Sequence, residues 1–92
     1  MIIVWSNEAQ TSYLGIIDYL IENWEIAIVL DFEKRTNILL NHLKVHHNFC
    51  PNSKKSNLRK CILHKNVSLI YAVGKNRIEL VSFIDNRTSH KF

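Results

Sequence analysis

Glycine and proline are scarce in this chain of 92 residues, with two glycines and one proline. That scarcity excludes collagen-like, linker-like and disordered chains, whose compositions lean on those residues. Cysteine is also scarce, limited to Cys50 and Cys61. Two cysteines without a C-x-x-C context give no disulfide framework, so both are expected to be ordinary small apolar residues in a reducing cytoplasm. No apolar run reaches the length that spans a bilayer, and no secretory signal precedes the first apolar stretch, so no membrane partner is expected. Acidic residues are missing mainly from the second half. Residues 1–43 carry Lys34 and Arg35 against six acids, a balance of −4, whereas residues 44–92 carry ten Lys or Arg against Glu79 and Asp85, a balance of +8. Such segregation points to a strand-bearing half that faces a polyanion or an acidic protein.

What is present is 47% hydrophobic and 22% charged, which suits one soluble domain over residues 1–92 with a modest core. Its last third is the most patterned. Leu58 to Arg87 reads as three short strands joined by two tight turns, His64-Lys65-Asn66 and Gly74-Lys75-Asn76-Arg77. With Lys75-Asn76 as a two-residue loop, Val73–Ile78, Tyr71–Leu80, Leu69–Ser82 and Val67–Ile84 pair on one apolar face. Ala72–Glu79, Ile70–Val81, Ser68–Phe83 and Asn66–Asp85 then share a mixed face, open to a partner.

The rest of the chain reads as the cover for the apolar face. Ile2 to Trp5 is long enough for one strand. Ser6 or Asn7 caps a helix, and Asn7 with Gln10 fits a capping box. Ala9, Tyr13, Ile16, Ile17, Leu20 and Trp24 form its buried stripe, with Leu14 and Ile21 widening it. Gly15 in mid-helix predicts a close approach of two backbones. A break at Asn23-Trp24-Glu25 precedes a second helix of about five turns, carrying Val29, Phe32, Thr36, Leu39 and Leu43 inward and fading near Lys44. The polar stretch His46–Asn57 follows as a loop. The fold class is therefore α+β: a strand, a helical hairpin, then a three-stranded antiparallel meander covered on one face by the helices.

In that order the sequence resembles toxins of the RelE/ParE superfamily from type II toxin–antitoxin systems. The opening IIVWSNEAQTSYLGIIDYLIENW is similar to the family's start, a strand, Trp-Ser, and a helix ending in Asn-Trp. The segment LRKCILHKNVSLIYAVGKNRIELVSFIDNR resembles the Arg-Lys, His-Lys and Asp-Asn-Arg end of a ParE-like subgroup. The resemblance implies a bacterial growth-inhibiting toxin, of the kind linked to plasmid stabilization, held in a hetero-oligomer with its cognate antitoxin. It also implies a macromolecular target. ParE-like members inhibit DNA gyrase, whereas RelE-like members are metal-independent endoribonucleases that cleave mRNA on the ribosome. RelE-like nucleases often place an arginine in the third strand. Here that position holds Ser68, which argues for the ParE-like reading.

The residues that would meet a target are Arg59, Lys60, Lys65, Asp85, Asn86 and Arg87. Arg87 offers a planar fork to phosphate or carboxylate, with Asp85 to orient it; the same pair could instead tie down a strand end. Lys54, Lys55, Arg59, Lys60, His64 and Lys65 could track a phosphate backbone or simply protect an edge strand. Either Leu58 and Ile62 or Cys61 and Leu63 face the core, which decides whether Arg59 or Lys60 points outward. For RNA cleavage, His64 or His90 could move the proton. His42, His46, His47 and Cys50 spell H-x-x-x-H-H-x-x-C, whose spacing matches no common structural zinc site. Neither a metal nor another cofactor is expected.

Overall fold

The computed structural model describes residues 1–88 and 91–92; the candidate His90 lies outside them. The element order is β1 (Ile2–Trp5), α1 (Asn7–Asn23), α2 (Ile26–Val45), β2 (Arg59–His64), β3 (Val67–Gly74) and β4 (Arg77–Asp85). The strands form one sheet in the order β1-β4-β3-β2, with β1 parallel to β4 and the other pairs antiparallel. This is the expected α+β arrangement, a helical hairpin on one face of a small sheet. Among the described residues, no helix is long and apolar enough to cross a membrane.

Each helix forms where its pattern says. Ser6 is the N-cap of α1, its hydroxyl accepting from the Ala9 N–H, so the cap is Ser6 and not Asn7. α1 ends at Asn23, and α2 begins one residue past Glu25. α2 buries Val29, Phe32, Thr36, Leu40 and Leu43. Leu39, expected inward, is only half-buried, because Leu40 takes the inward position on that turn. Between helices and sheet, Trp5, Tyr13, Phe32 and Phe83 form an aromatic cluster with ring centres 5.0 to 5.7 Å apart. Large side chains like these contribute about 1.5–3 kcal/mol each when fully buried.

Several expectations are corrected. Leu14, Ile21 and Trp24 are exposed, since the buried side of α1 is narrower than its apolar content. Gly15 makes no close backbone approach: a Cβ there would meet nothing within 4 Å. The β3–β4 pairing follows the expected register from Gly74↔Arg77 through Tyr71↔Leu80, and then slips by one, to Ile70↔Ser82, Leu69↔Phe83 and Val67↔Asp85. Val81 is the extra residue of a bulge, which flips the rest of β4. Phe83 thereby turns towards the helices, while Ile84 joins the opposite face.

That opposite face is not open as expected. Ile70, Ile84 and Phe92 form a second small core with Leu58 and Val81 against it, and the Phe92 carbonyl accepts from the Lys54 N–H at 3.0 Å. The cysteines are likewise corrected. Cys50 and Cys61 are joined in a disulfide, pinning the loop after α2 onto β2. They no longer speak for a reducing cytoplasm.

Candidate functional site

Beyond Trp5, no strand among the described residues pairs with the outer side of β4, and α1 takes over. The Ser6 N–H donates to Leu80 O at 3.1 Å, the Ser6 hydroxyl donates to Val81 O at 2.9 Å, and the Phe83 N–H donates to Ser12 Oγ at 2.9 Å. Two serines on one helix thus satisfy the backbone of the bulged strand. Past Ser12 the helix and the strand ends diverge and leave a cleft of about 370 Å³.

The cleft has an apolar body and one polar end. Gly15, Ile16 and Leu20 of α1, Trp24 between the helices, Ile28 of α2 and Val67 of β3 form the body. Gly15 lacks the side chain that would narrow it. At the polar end stand Tyr19, His64, Asn66, Asp85 and Arg87. The β2–β3 turn and the end of β4 are held together there by the Asn86 N–H donating to Asn66 O at 2.7 Å.

Asp85 and Arg87 form a two-point pair. Arg87 Nη2 donates to Asp85 Oδ2 at 2.7 Å and Nε to Oδ1 at 3.1 Å, and the Arg87 backbone N–H also donates to Oδ1 at 2.8 Å. These bonds hold the Asp85 carboxyl below the usual carboxylate range. Asp85, with help from the Tyr19 hydroxyl, keeps Arg87 firmly protonated. The guanidinium is exposed and retains further N–H donors for an outside acceptor. The arrangement therefore offers an oriented cation on the wall of a largely apolar cleft that an imidazole also lines.

The other basic candidates stand elsewhere. Cys61 and Leu63 of β2 face the core while Ile62 is exposed, so Lys60 lies on the outer side. Arg59 donates from Nη1 to Cys50 O at 2.6 Å and to Asn48 O at 3.3 Å, which clamps the loop. With Lys54 and Lys55 it lines a shallow polar groove. Lys60 and Lys54 line a separate, mainly apolar depression together with Phe92, and Lys55 and Lys91 sit over the Phe92 ring at 5.4 and 5.3 Å. The structure thus brings His64, Asp85 and Arg87 together, with Asn86 and Lys65 beside them in the chain, and separates them from Arg59 and Lys60.

Sequence reasoning missed the α1 side of the cleft. Tyr19 stands off the buried stripe, and Gly15 interrupts the helix without a packing reason; together they were the available signal. Ser68, whose position bears on the nuclease reading, is fully buried, and its hydroxyl has no hydrogen-bond partner among the described residues.

No protein-family model matches this sequence, and no curated protein sequence matches it. Solved structures do match in fold. A structure of the chromosomal ParDE toxin–antitoxin system from P. aeruginosa aligns with a TM-score of 0.76 at 16% identity, covering 92% of this chain and 95% of that one. A copper-bound mutant toxin from Helicobacter pylori aligns with a TM-score of 0.70 at 14% identity, covering 95% and 96%. The YoeB–YefM complex from Staphylococcus aureus aligns with a TM-score of 0.59 at 20% identity, covering 88% and 91%. The chain has the fold of these proteins from end to end.

Proposed function

We propose that this chain is the toxin of a type II toxin–antitoxin pair, a member of the RelE/ParE superfamily that arrests bacterial growth by binding a macromolecular target. The observation that carries this reading is the end-to-end fold likeness to a ParDE system structure, over 92% of the chain. The partner is a cognate antitoxin, bound in a hetero-oligomer. Its seat is the helical hairpin and a neighbouring sheet edge, where Leu14, Ile21, Ile26, Leu30 and Ile38 are exposed and offer apolar anchors. The test is expression in a bacterial host. The chain alone slows growth, and co-expression of the small protein encoded beside it restores growth. Normal growth at confirmed soluble expression would overturn the reading.

The target reading is ParE-like, with DNA gyrase as the candidate. Ser68 supports it: where a RelE-like nuclease often carries an arginine, this chain has a buried side chain that no phosphate can approach. Arg87, oriented by Asp85, would then contact the target through its remaining donors. One observation favours a second reading. His64 shares the cleft with Arg87, which would suit a metal-independent, ribosome-dependent mRNA endonuclease, with the imidazole moving the proton and the guanidinium holding the phosphate. Purified chain added to a supercoiling assay and to a translation reaction separates the two. Inhibited supercoiling with intact message supports the first, and message cleaved only on ribosomes supports the second.

A further inference from the structure

The motif H-x-x-x-H-H-x-x-C fails as a four-ligand site, because Cys50 is committed to the disulfide with Cys61. No group of three or more metal-ligating side chains occurs among the described residues. What survives is a pair. His42 and His46 stand one turn apart at the end of α2, and the turn is closed by the His46 N–H donating to His42 O at 2.9 Å. His42 lies in the last turn of α2 and His46 is its C-cap residue, and two histidines four residues apart are a recurring way to hold a metal ion.

We propose that His42 and His46 form a two-imidazole site for a borderline divalent transition metal, copper(II) foremost, with nickel(II) and zinc(II) binding more weakly. The ring separation carries the argument. Two imidazoles on one ion, each with a metal–nitrogen bond of about 2.0–2.1 Å and meeting at roughly 90–110°, have ring centres about 4.5–5.2 Å apart. The observed centres are 4.7 Å apart, with planes tilted by 34°. Phe49 packs edge-on against His42, with its ring centre at 4.4 Å, so part of the ordering is complete before any ion arrives. Both imidazoles are on the surface, beside a depression formed with Val45, His47, Asn48 and Phe49; His47 completes no three-ligand group with them among the described residues, which leaves the remaining coordination positions to water. Imidazole suits copper, nickel and zinc, and the intrinsic order of affinities favours copper.

The test is titration of the untagged full chain with copper(II) chloride, followed by calorimetry and by electron paramagnetic resonance. One copper ion per chain is expected, with nitrogen coupling in the spectrum. His42→Gln and His46→Gln, both at exposed positions, should each weaken binding roughly ten-fold or more, with circular dichroism unchanged. His47→Gln and His64→Gln should bind as the parent does. Zinc(II) should raise the parent's melting temperature and leave that of His42→Gln unmoved. Parent-like copper affinity in both His42→Gln and His46→Gln would place the ion elsewhere, at the N-terminal amine or another histidine, and overturn the proposal. Failure to bind any copper would overturn it equally.

Discussion

Phe83 donates its backbone N–H to the hydroxyl of Ser12 across the helix–sheet junction, at 2.9 Å. That contact lets a helix stand in for a missing strand, and it fixes how closely α1 approaches β4 above the cleft. Ser12→Ala would leave the strand N–H without a partner in a partly buried place, at a cost of about 1–2 kcal/mol. Urea unfolding of the variant measures it. Stability equal to the parent's would mean that water replaces the serine without loss.

The disulfide yields a second expectation. Cys50 and Cys61 are 11 positions apart, and closing a loop of that size constrains the unfolded chain by about 2–3 kcal/mol. The double variant Cys50→Ala, Cys61→Ala should lose that amount, and the parent should fall to the same level in excess reductant. Hydrogen exchange should quicken mainly between the two positions, since Arg59 and the Lys60 N–H, donating to Pro51 O, still hold the loop in part. A parent chain indifferent to reductant would contradict this.

The sequence was most legible where periodicity had a single physical cause. Both helices, the break at Trp24 and the four strands follow from apolar spacing and turn residues, and Asn76 adopts the positive φ that its hairpin requires. The bulge at Val81 was hidden, because Val81, Ser82 and Phe83 are compatible with either register until Ser6 claims the Val81 carbonyl. The disulfide was hidden because two cysteines have no spacing code; their pairing depends on a loop folding back onto β2. Within the site, Asp85 and Arg87 were legible as a strand-end motif. Gly15 is ambiguous in sequence: a glycine in a helix can serve a packed neighbour or an empty space, and only the folded surroundings distinguish them.

The Asp85–Arg87 pair gives stability a pH dependence of known sign. Arg87 depresses the folded-state pKa of Asp85 below an unfolded value of about 3.9. The pair's contribution is therefore fully present above that unfolded value and is lost as pH falls through the folded one. Asp85→Asn should remove that contribution, lowering stability modestly near neutrality and flattening the acid slope, so that variant and parent converge at low pH. Arg87→Ala should abolish growth inhibition with folding and antitoxin binding nearly intact. Arg87→Lys keeps the charge without the planar fork, so it reports which of the two the target needs. A clear drop in melting temperature for Arg87→Ala would make the pair a structural tie and remove Arg87 from the site.

Gly15 offers a test in which stability and function move in opposite directions. A Cβ at this position meets nothing within 4 Å, and the residue lies mid-helix in α1 with ordinary helical backbone. Gly15→Ala should therefore stabilise the fold by about 0.5–1 kcal/mol, through the lower backbone entropy that alanine loses on entering a helix. The same substitution places a methyl group in the cleft shared by Tyr19, His64 and Arg87. If a target or antitoxin side chain occupies that cleft, Gly15→Ala should weaken growth inhibition or antitoxin binding despite the more stable fold, and Gly15→Leu should weaken it further. Urea unfolding reads the first effect, and growth curves with and without the antitoxin read the second. A Gly15→Leu chain that is folded and fully toxic would show that the cleft is not where the partner binds. Loss of stability in Gly15→Ala would show instead that the space beside Gly15 is filled in solution by a shift of α1.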